Sequence, residues 1–306
     1  MNTHSFSVSI VIPNWNGKHL LEKNLPSIFA AAPRAEVILA DDASQDGSVA
    51  LVKEKYPGVV IVENKHRKGF AGNVNSGVAR ATGEIVVLLN TDVRPERGFL
   101  DPLLSRFSDD PMVAGVGCLE KSHDLHGVVL RGRGIARWEK GYFIHRRGDV
   151  DSNDTAWVSG GSGAFRLSVW KKLGGMDTLY NPFYWEDIDF SYQLLKSGYR
   201  IVFEKQSVVG HFHEEGKIKT SYSPEDIKRI AYRNQFIFLW KNISDPDIWV
   251  THLLWTPIRL FQALFNKDWR MIEGYGMALV TLPAILLSRM RAAEHWCRKD
   301  AVLFTL

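Results

Sequence analysis

The sequence predicts an α/β protein: an open, mostly parallel sheet flanked by helices, with a C-terminal helical extension. Three observations predict it. Short β-branched runs recur at helix-plus-strand intervals, each run is continuous rather than alternating, and beyond Pro224 the pattern turns helical. Continuous apolar runs suit strands covered on both faces, because a half-exposed strand would alternate. The 306 residues suffice for one large α/β domain, placed at residues 1–222, plus an extension at residues 223–306.

The strand-like runs are Ser7–Pro13, Glu36–Ala40, Val59–Glu63, Glu84–Leu89 and Met112–Val116. Helical patterns lie between them. Leu20, Leu21, Leu25, Ile28 and Phe29 form one stripe. Val49, Leu51 and Val52 begin a second, with Asp46 and Ser48 as candidate caps and Pro57–Gly58 as its stop. Gly69 to Ala81 is a third. Such a chain order gives right-handed crossovers, and ligands of such sheets bind beyond the carboxyl ends of the strands. Residues 124–154 read as loops or a small β insertion near the site. Ala156–Val158 reads as a strand, about Leu167–Leu173 and Asp187–Ser197 as helices, and Tyr199–Glu204 as a strand. A further strand ends at Val208–His213.

Apolar residues make up 45% and charged residues 24%, which excludes global disorder. Cys118 and Cys297 lie far apart in no metal-ligand spacing, which argues against a zinc site or disulfide framework and suits a reducing cytoplasm. Met1 runs into the first strand without a basic flank and apolar core, so no signal peptide is expected. No window reaches the length of a bilayer span; the best, Gly276 to Ser288, is short and contains Pro283. Net charge is +4, and from Ile227 to Asp300 there are 11 Lys/Arg against 6 Asp/Glu. The same segment holds Trp240, Trp249, Trp255, Trp269 and Trp296, half of the ten tryptophans. Basic residues mixed with tryptophan predict peripheral contact with an anionic membrane, at the inner face of the cytoplasmic membrane. The bland alternative is a helical subdomain with a tryptophan core. No nucleic-acid motif accompanies the charge, so no nucleic-acid partner is expected.

The polar residues that follow the strand ends carry the chemistry. The first strand runs into Pro13-Asn14-Trp15-Asn16-Gly17, where Pro13 ends the ladder. The second ends in Asp41-Asp42, whose adjacent charges repel unless a ligand or donors hold them. A turn with a helix cap accounts for Ser44 and Asp46. The third is followed by a basic loop, Lys65-His66-Arg67-Lys68, leading into a glycine-containing helix start through Asn73, a feature that suits a phosphate. The fourth delivers Asn90-Thr91-Asp92, oxygen ligands for a hard divalent ion bridging a diphosphate. An Asx turn leading to Pro95 is the structural alternative. The glycines of Ser159-Gly160-Gly161-Ser162-Gly163 permit close backbone approach to a sugar. Trp185-Glu186-Asp187 opens a helix, where acids can simply favour the dipole or, beside an aromatic, gain proton affinity suited to a general base. His211 and His213 end a strand, and alternation alone does not choose between them.

Together, in this order, these residues resemble the family 2 inverting glycosyltransferases of GT-A fold, in their rhamnosyltransferase-like branch. The resemblance runs from Val8 to about Gly216. It implies that Pro13, Asn14 and Asn16 lie near the nucleoside, that Asp42 with Asp41 binds base or ribose, and that Lys68 and Asn73 sit near the donor. Asn90-Thr91-Asp92 stands in the place of the DxD motif, with Asn for the first acid, which makes Asp92 a metal ligand. Glu186-Asp187 matches the ED pair, making Asp187 the catalytic base. His211 matches the histidine completing the metal site, with His213 in reserve. Gly160, Gly161 and Trp185 would position sugar and acceptor. The implied cofactor is Mn²⁺ or Mg²⁺, the donor a nucleotide diphosphate sugar, and the acceptor a glycan or lipid-linked hydroxyl in polysaccharide, O-antigen or other glycoconjugate assembly. A sugar nucleotidyltransferase would carry a Gly-rich basic loop where Asn14-Trp15-Asn16-Gly17 stands. A non-catalytic nucleotide-sugar binder would have no need of Asp187.

Overall fold

The structure, a computed structural model, describes residues 6–124, 127–212 and 221–304. Strands and helices alternate at first: β1 (Val8–Asn14), α1 (Lys18–Ala31), β2 (Glu36–Asp41), α2 (Ser48–Lys55), β3 (Val60–Glu63), α3 (Gly69–Val78) and β4 (Ile85–Leu88). Then come β5 (Val93–Pro95), α4 (Leu100–Asp109) and β6 (Val113–Asp124). Three further strands, β7 (Gly127–Arg131), β8 (Gly134–Glu139) and β9 (Tyr142–Arg147), precede β10 (Gly163–Arg166), α5 (Leu167–Leu173), α6 (Glu186–Lys196) and β11 (Arg200–His211). The chain closes with α7 (Pro224–Asn242), α8 (Pro246–Phe265), α9 (Trp269–Val280), α10 (Leu282–Ala293) and α11 (Asp300–Leu303).

The main sheet runs β3-β2-β1-β4-β10-β6-β11-β5, with β7 on the end of β6. Strands β3, β2, β1 and β4 are parallel, as are β6 and β11; β10 lies antiparallel between β4 and β6. Strand alternation gives the sheet two apolar faces. Ile10, Ile12, Leu39 and Val87 pack against Leu25 and Ile28 of α1 and Phe107 of α4. Val11, Ile38, Val86 and Leu88 pack with α3, α6 and α7, through Val74, Phe190 and Phe238 among others. Fully burying each such side chain contributes about 1.5–3 kcal/mol, so both helix layers are held to the sheet.

Two strand assignments read from the sequence are corrected. Ala156–Val158 is not a strand: the Val158 amide donates to Ser191 Oγ of α6 at 3.0 Å instead of to a ladder. The strand is β10, entered through a turn at Gly163, where a Cβ would lie 2.3 Å from Val158 Cγ1. Tyr199–Glu204 and Val208–His211 are one strand, β11, whose register against β6 shifts between Glu204 and Val208. Residues 124–154 hold the end of β6, β7 and a separate β8–β9 hairpin. Among the described residues no single helix is long and apolar enough to cross a membrane.

Candidate active site

The parallel register sets the carboxyl ends of the first strands in a row. Asn14 stands opposite Asp41, and Asp41 opposite Glu63. The polar groups there bind one another. Asn14 is buried, its Nδ2 donating to Asp41 Oδ1 at 2.7 Å and to Ser44 Oγ at 3.1 Å, and its Oδ1 accepting from the Gly17 amide. Pro13 is buried beside it in β1. Asn16, at φ 50°, uses its Oδ1 to accept from the Gln45 amide. Asp41 Oδ2 accepts from the Ser44 amide at 2.9 Å. Asp42 Oδ1 accepts from the Lys68 amide at 2.7 Å, and its Oδ2 from the Gly69 amide at 3.1 Å. Donors therefore relieve the repulsion of the Asp41-Asp42 pair from within the protein.

The open phosphate cradle expected at the start of α3 is not formed. The Lys68 and Gly69 amides are taken by Asp42, the Phe70 amide donates to the Pro182 carbonyl, and Lys68 Nζ donates to Ser76 Oγ. Asn73 is a buried brace: Nδ2 donates to the Ala40 carbonyl at 2.9 Å, and Oδ1 accepts from Asn64. At the mouth, the Arg67 guanidinium lies 3.5 Å from the centroid of the Trp15 ring, a cation–π pair that the sequence did not suggest.

The groups beyond β4 and β11 converge. Asp92 Oδ1 lies 3.6 Å from His211 Nε2, although 119 positions separate them in sequence. The Phe212 amide donates to the Asp92 carbonyl and ties the two segments together. His211 Nδ1 faces Glu120 Oε2 of β6 at 3.2 Å, and Ser162 Oγ donates to Glu120 Oε1. Glu120 was missed because β6 runs past Val116, and nothing local distinguishes it from an ordinary strand acid. Burial alone would lower the proton affinity of His211, but Asp92 and Glu120 outweigh it and raise its pKa to about 10. Thr91 offers its carbonyl to Asn24 Nδ2, and the Asn90 amide donates to the Gly161 carbonyl at 2.9 Å. Asn90 Oδ1 is buried with no hydrogen-bond partner among the described residues, and a Cβ on Gly161 would approach Asn90 Nδ2 to 2.6 Å.

The same glycine turn reaches the ED pair. The Gly160 amide donates to Asp187 Oδ2 at 3.2 Å, and the Ile188 amide to Oδ1 at 2.8 Å. Asp187 is half-buried; burial pushes its proton affinity up, the two amides pull it down, and Glu120 adds to the rise. The net rise suits a base. Glu186 is buried, its Oε2 without a hydrogen-bond partner among the described residues, and burial followed by the charge of Asp187 holds its pKa well above the usual carboxylate range. Just before α6, Tyr184 and Trp185 sit at φ 69° and 79°. Such left-handed non-glycine residues each store about 1–3 kcal/mol and cluster at functional sites. Asn234 Nδ2 of α7 holds this turn, donating to the carbonyls of Tyr180, Phe183 and Tyr184. Trp185 is no open platform: its indole is buried against Phe143, His145 and Phe238.

A divalent ion fits the donor set. Among the described residues no group of three or more His, Cys, Asp or Glu side chains closes around a point. The carboxylate of Asp92 and the imidazole of His211 offer two ligands, and hard ions commonly complete their shells with substrate phosphates and water. Glu120 on Nδ1 would hold His211 in the tautomer that presents Nε2. His213 lies outside the described residues.

The family model of "Glycosyl transferase family 2" matches residues 9–174, a span that contains β1 to α5 and the Asn90-Thr91-Asp92 turn, and ends before α6 and β11. The chain belongs to glycosyl transferase family 2. This family 2 chain is 27% identical over 219 residues to the pre-mycofactocin glycosyltransferase of Mycobacterium tuberculosis, covering 67% of the chain and 43% of that protein. The chain thus spans less than half the length of that relative. It is 26% identical over 270 residues to the N-acetylglucosaminyl-diphospho-decaprenol L-rhamnosyltransferase of the same organism, covering 78% of the chain and 85% of that protein. Among solved structures it is similar to the mannosyltransferase PcManGT from Pyrobaculum calidifontis in complex with GDP-Man and Mn²⁺. The TM-score is 0.58 at 22% identity, covering 99% of this chain and 84% of that one. That likeness carries the GT-A fold.

Proposed function

We propose that this family 2 glycosyltransferase moves a sugar from a nucleotide diphosphate donor to an acceptor hydroxyl with inversion at the anomeric carbon. The observation that carries the reading is Asp187: an accessible carboxylate of raised proton affinity, tied by Gly160 and Gly161 to the rim that holds Asp92 and His211. Asp187 takes the proton of the acceptor hydroxyl. The freed oxygen bonds to the anomeric carbon from the face opposite the diphosphate. The bond from that carbon to the phosphate oxygen breaks, and its electron pair leaves with the nucleoside diphosphate. Mn²⁺ or Mg²⁺ held by Asp92 and His211 would supply charge neutralisation for that leaving group.

The likeness to a protein named N-acetylglucosaminyl-diphospho-decaprenol L-rhamnosyltransferase supports a lipid-linked acceptor; cell-envelope glycoconjugate assembly on the cytoplasmic face of the membrane is the setting we propose for it. The test is a panel of dTDP, UDP and GDP sugars with Mn²⁺, read by thermal stabilisation and by nucleotide release. One donor should raise the melting temperature by mass action. Asp187→Asn should keep that shift and lose turnover by about 10²–10⁴-fold. Full turnover in Asp187→Asn would remove Asp187 as the base, and no shift with any sugar nucleotide would remove the donor assignment.

A further inference from the structure

Helix α8 is inside-out. Its buried positions are Ile248, His252, Thr256 and Ala263, only one of them a large apolar residue, whereas Val250, Leu254, Ile258, Phe261 and Phe265 recur at helical spacing on the exposed side. A helix packed only for solubility places its large apolar side chains inward. The pattern continues across α9 and α10, which meet at a 67° bend. Val280, at the tip of that bend, is 85% exposed, and Phe265, at the end of α8, is 81% exposed. Phe261 and Met290 are each 69% exposed. Between the three helices opens a groove of about 590 Å³, lined by Trp240, Leu253, Leu279 and Leu286, with His252 and Arg289 among its few polar groups.

We infer that α8 and the α9–α10 bend form a face that inserts into one leaflet of an anionic bilayer, with the groove taking hydrocarbon chain. Three observations favour lipid over a protein partner. The most exposed apolar residues sit at a helix end and at a bend, so the face protrudes, and a protein interface would need a matching hollow. Exposed cations mark its edges: Lys267 follows α8, Arg291 lies in the last turn of α10, and Lys140 is 5.9 Å from the Trp255 ring. These suit anionic headgroups. Trp269 is exposed at the start of α9, and Trp255 is half-buried on α8, where amphipathic rings suit the headgroup layer. Such faces sink about 5–10 Å.

The β8–β9 hairpin joins this face to the catalytic rim. Trp138 Nε1 donates to Thr251 Oγ1 at 2.8 Å, and the Gly141 carbonyl meets His252 Nδ1 at 2.8 Å. Farther along β9, the His145 ring lies 4.7 Å from that of Trp185. Insertion would therefore fix the height of Asp187 above the leaflet. The surface stands on its own observations; only this use of it rests on the proposed reaction.

The test is flotation of the full chain with vesicles of pure phosphatidylcholine or of equal parts phosphatidylcholine and phosphatidylglycerol. The wild type should float with the mixed vesicles at low salt. Leu254→Glu with Val280→Glu should cut vesicle affinity by more than about tenfold. Lys267→Glu with Arg291→Glu should cut it by about fivefold per charge on the mixed vesicles only. Leu254→Ser with Val280→Ser serves if circular dichroism shows that the acidic pair fails to fold. A wild type that stays unbound, or apolar variants that bind unchanged, would overturn the inference. So would a vesicle-free dimer that Val280→Glu splits, because the occupant would then be a second copy. Donor-induced thermal stabilisation on the same samples reports the catalytic reading separately.

Discussion

Glu186 occupies a buried position with one carboxylate oxygen unpaired among the described residues and Asp187 adjacent. Its pKa is raised on folding, so this group favours the folded state fully below its ordinary value near 4.5 and progressively less as pH rises through the folded value. Glu186→Gln removes that loss. The variant should melt above the wild type at neutral pH, by about 1–3 kcal/mol of stability, and the gap should close as pH falls towards 4.5. Calorimetric melts across pH read this directly, and a gap that persists in acid would contradict it. At Glu120 the expectation concerns the metal side. With Ser162 on one oxygen and His211 on the other, Glu120 orients the imidazole. Glu120→Gln should weaken Mn²⁺ binding in the presence of nucleoside diphosphate by about 10–100-fold, read by calorimetry.

At the scale of elements, the strained turn before α6 depends on α7. One amide, Asn234 Nδ2, serves three carbonyls of residues 180–184. Asn234→Ala should cost about 1–3 kcal/mol and lower turnover more than donor binding, because the turn sets the start of α6 and with it Asp187. Equal losses in turnover and binding would place Asn234 in general stability instead. This dependence shows where the sequence stopped being readable. Strands β1, β2 and β4 were legible because burial on both faces leaves their centres almost wholly apolar, whereas β3 is only half-buried; the polar turns that carry Asp92, Asp187 and His211 stood out because strand ends and helix starts expose polar residues. Ala156–Val158 misled because its amide is satisfied by Ser191, a partner 33 positions on from Val158. The internal hydrogen bonds of Asp41, Asp42 and Asn73 were equally hidden, since a polar side chain that binds groups of its own protein and one that binds a nucleoside have the same local sequence.

Across the whole molecule, buried charges fasten the helical extension to the sheet domain. Lys241 of α7 reaches Asp189 of α6 at 2.6 Å and Asp177 at 2.8 Å, with Lys241 and Asp189 almost fully buried. Lys196 of α6 meets Asp300 of α11 at 2.8 Å with both side chains buried. Attraction in such a setting is offset by desolvation, so the pairs need not add net stability, yet breaking one leaves a buried charge alone. Lys241→Met should therefore destabilise by about 3–5 kcal/mol, and adding Asp189→Asn should restore part of the loss by removing the stranded carboxylate. Acid should act at the same joints. Burial alone would raise Asp177 and Asp300, but Lys241 and Ser288 for the first, and Lys196 and Tyr192 for the second, hold both below their ordinary value of 3.8. Their contribution is present above 3.8 and is lost as pH falls through the lower folded values. Acid unfolding should begin with the extension parting from the sheet domain, seen as tryptophan emission from residues 240–296 shifting before the far-ultraviolet circular dichroism of the sheet changes. A single transition by both probes would show that the two parts unfold as one unit and that these pairs do not set the weak joint.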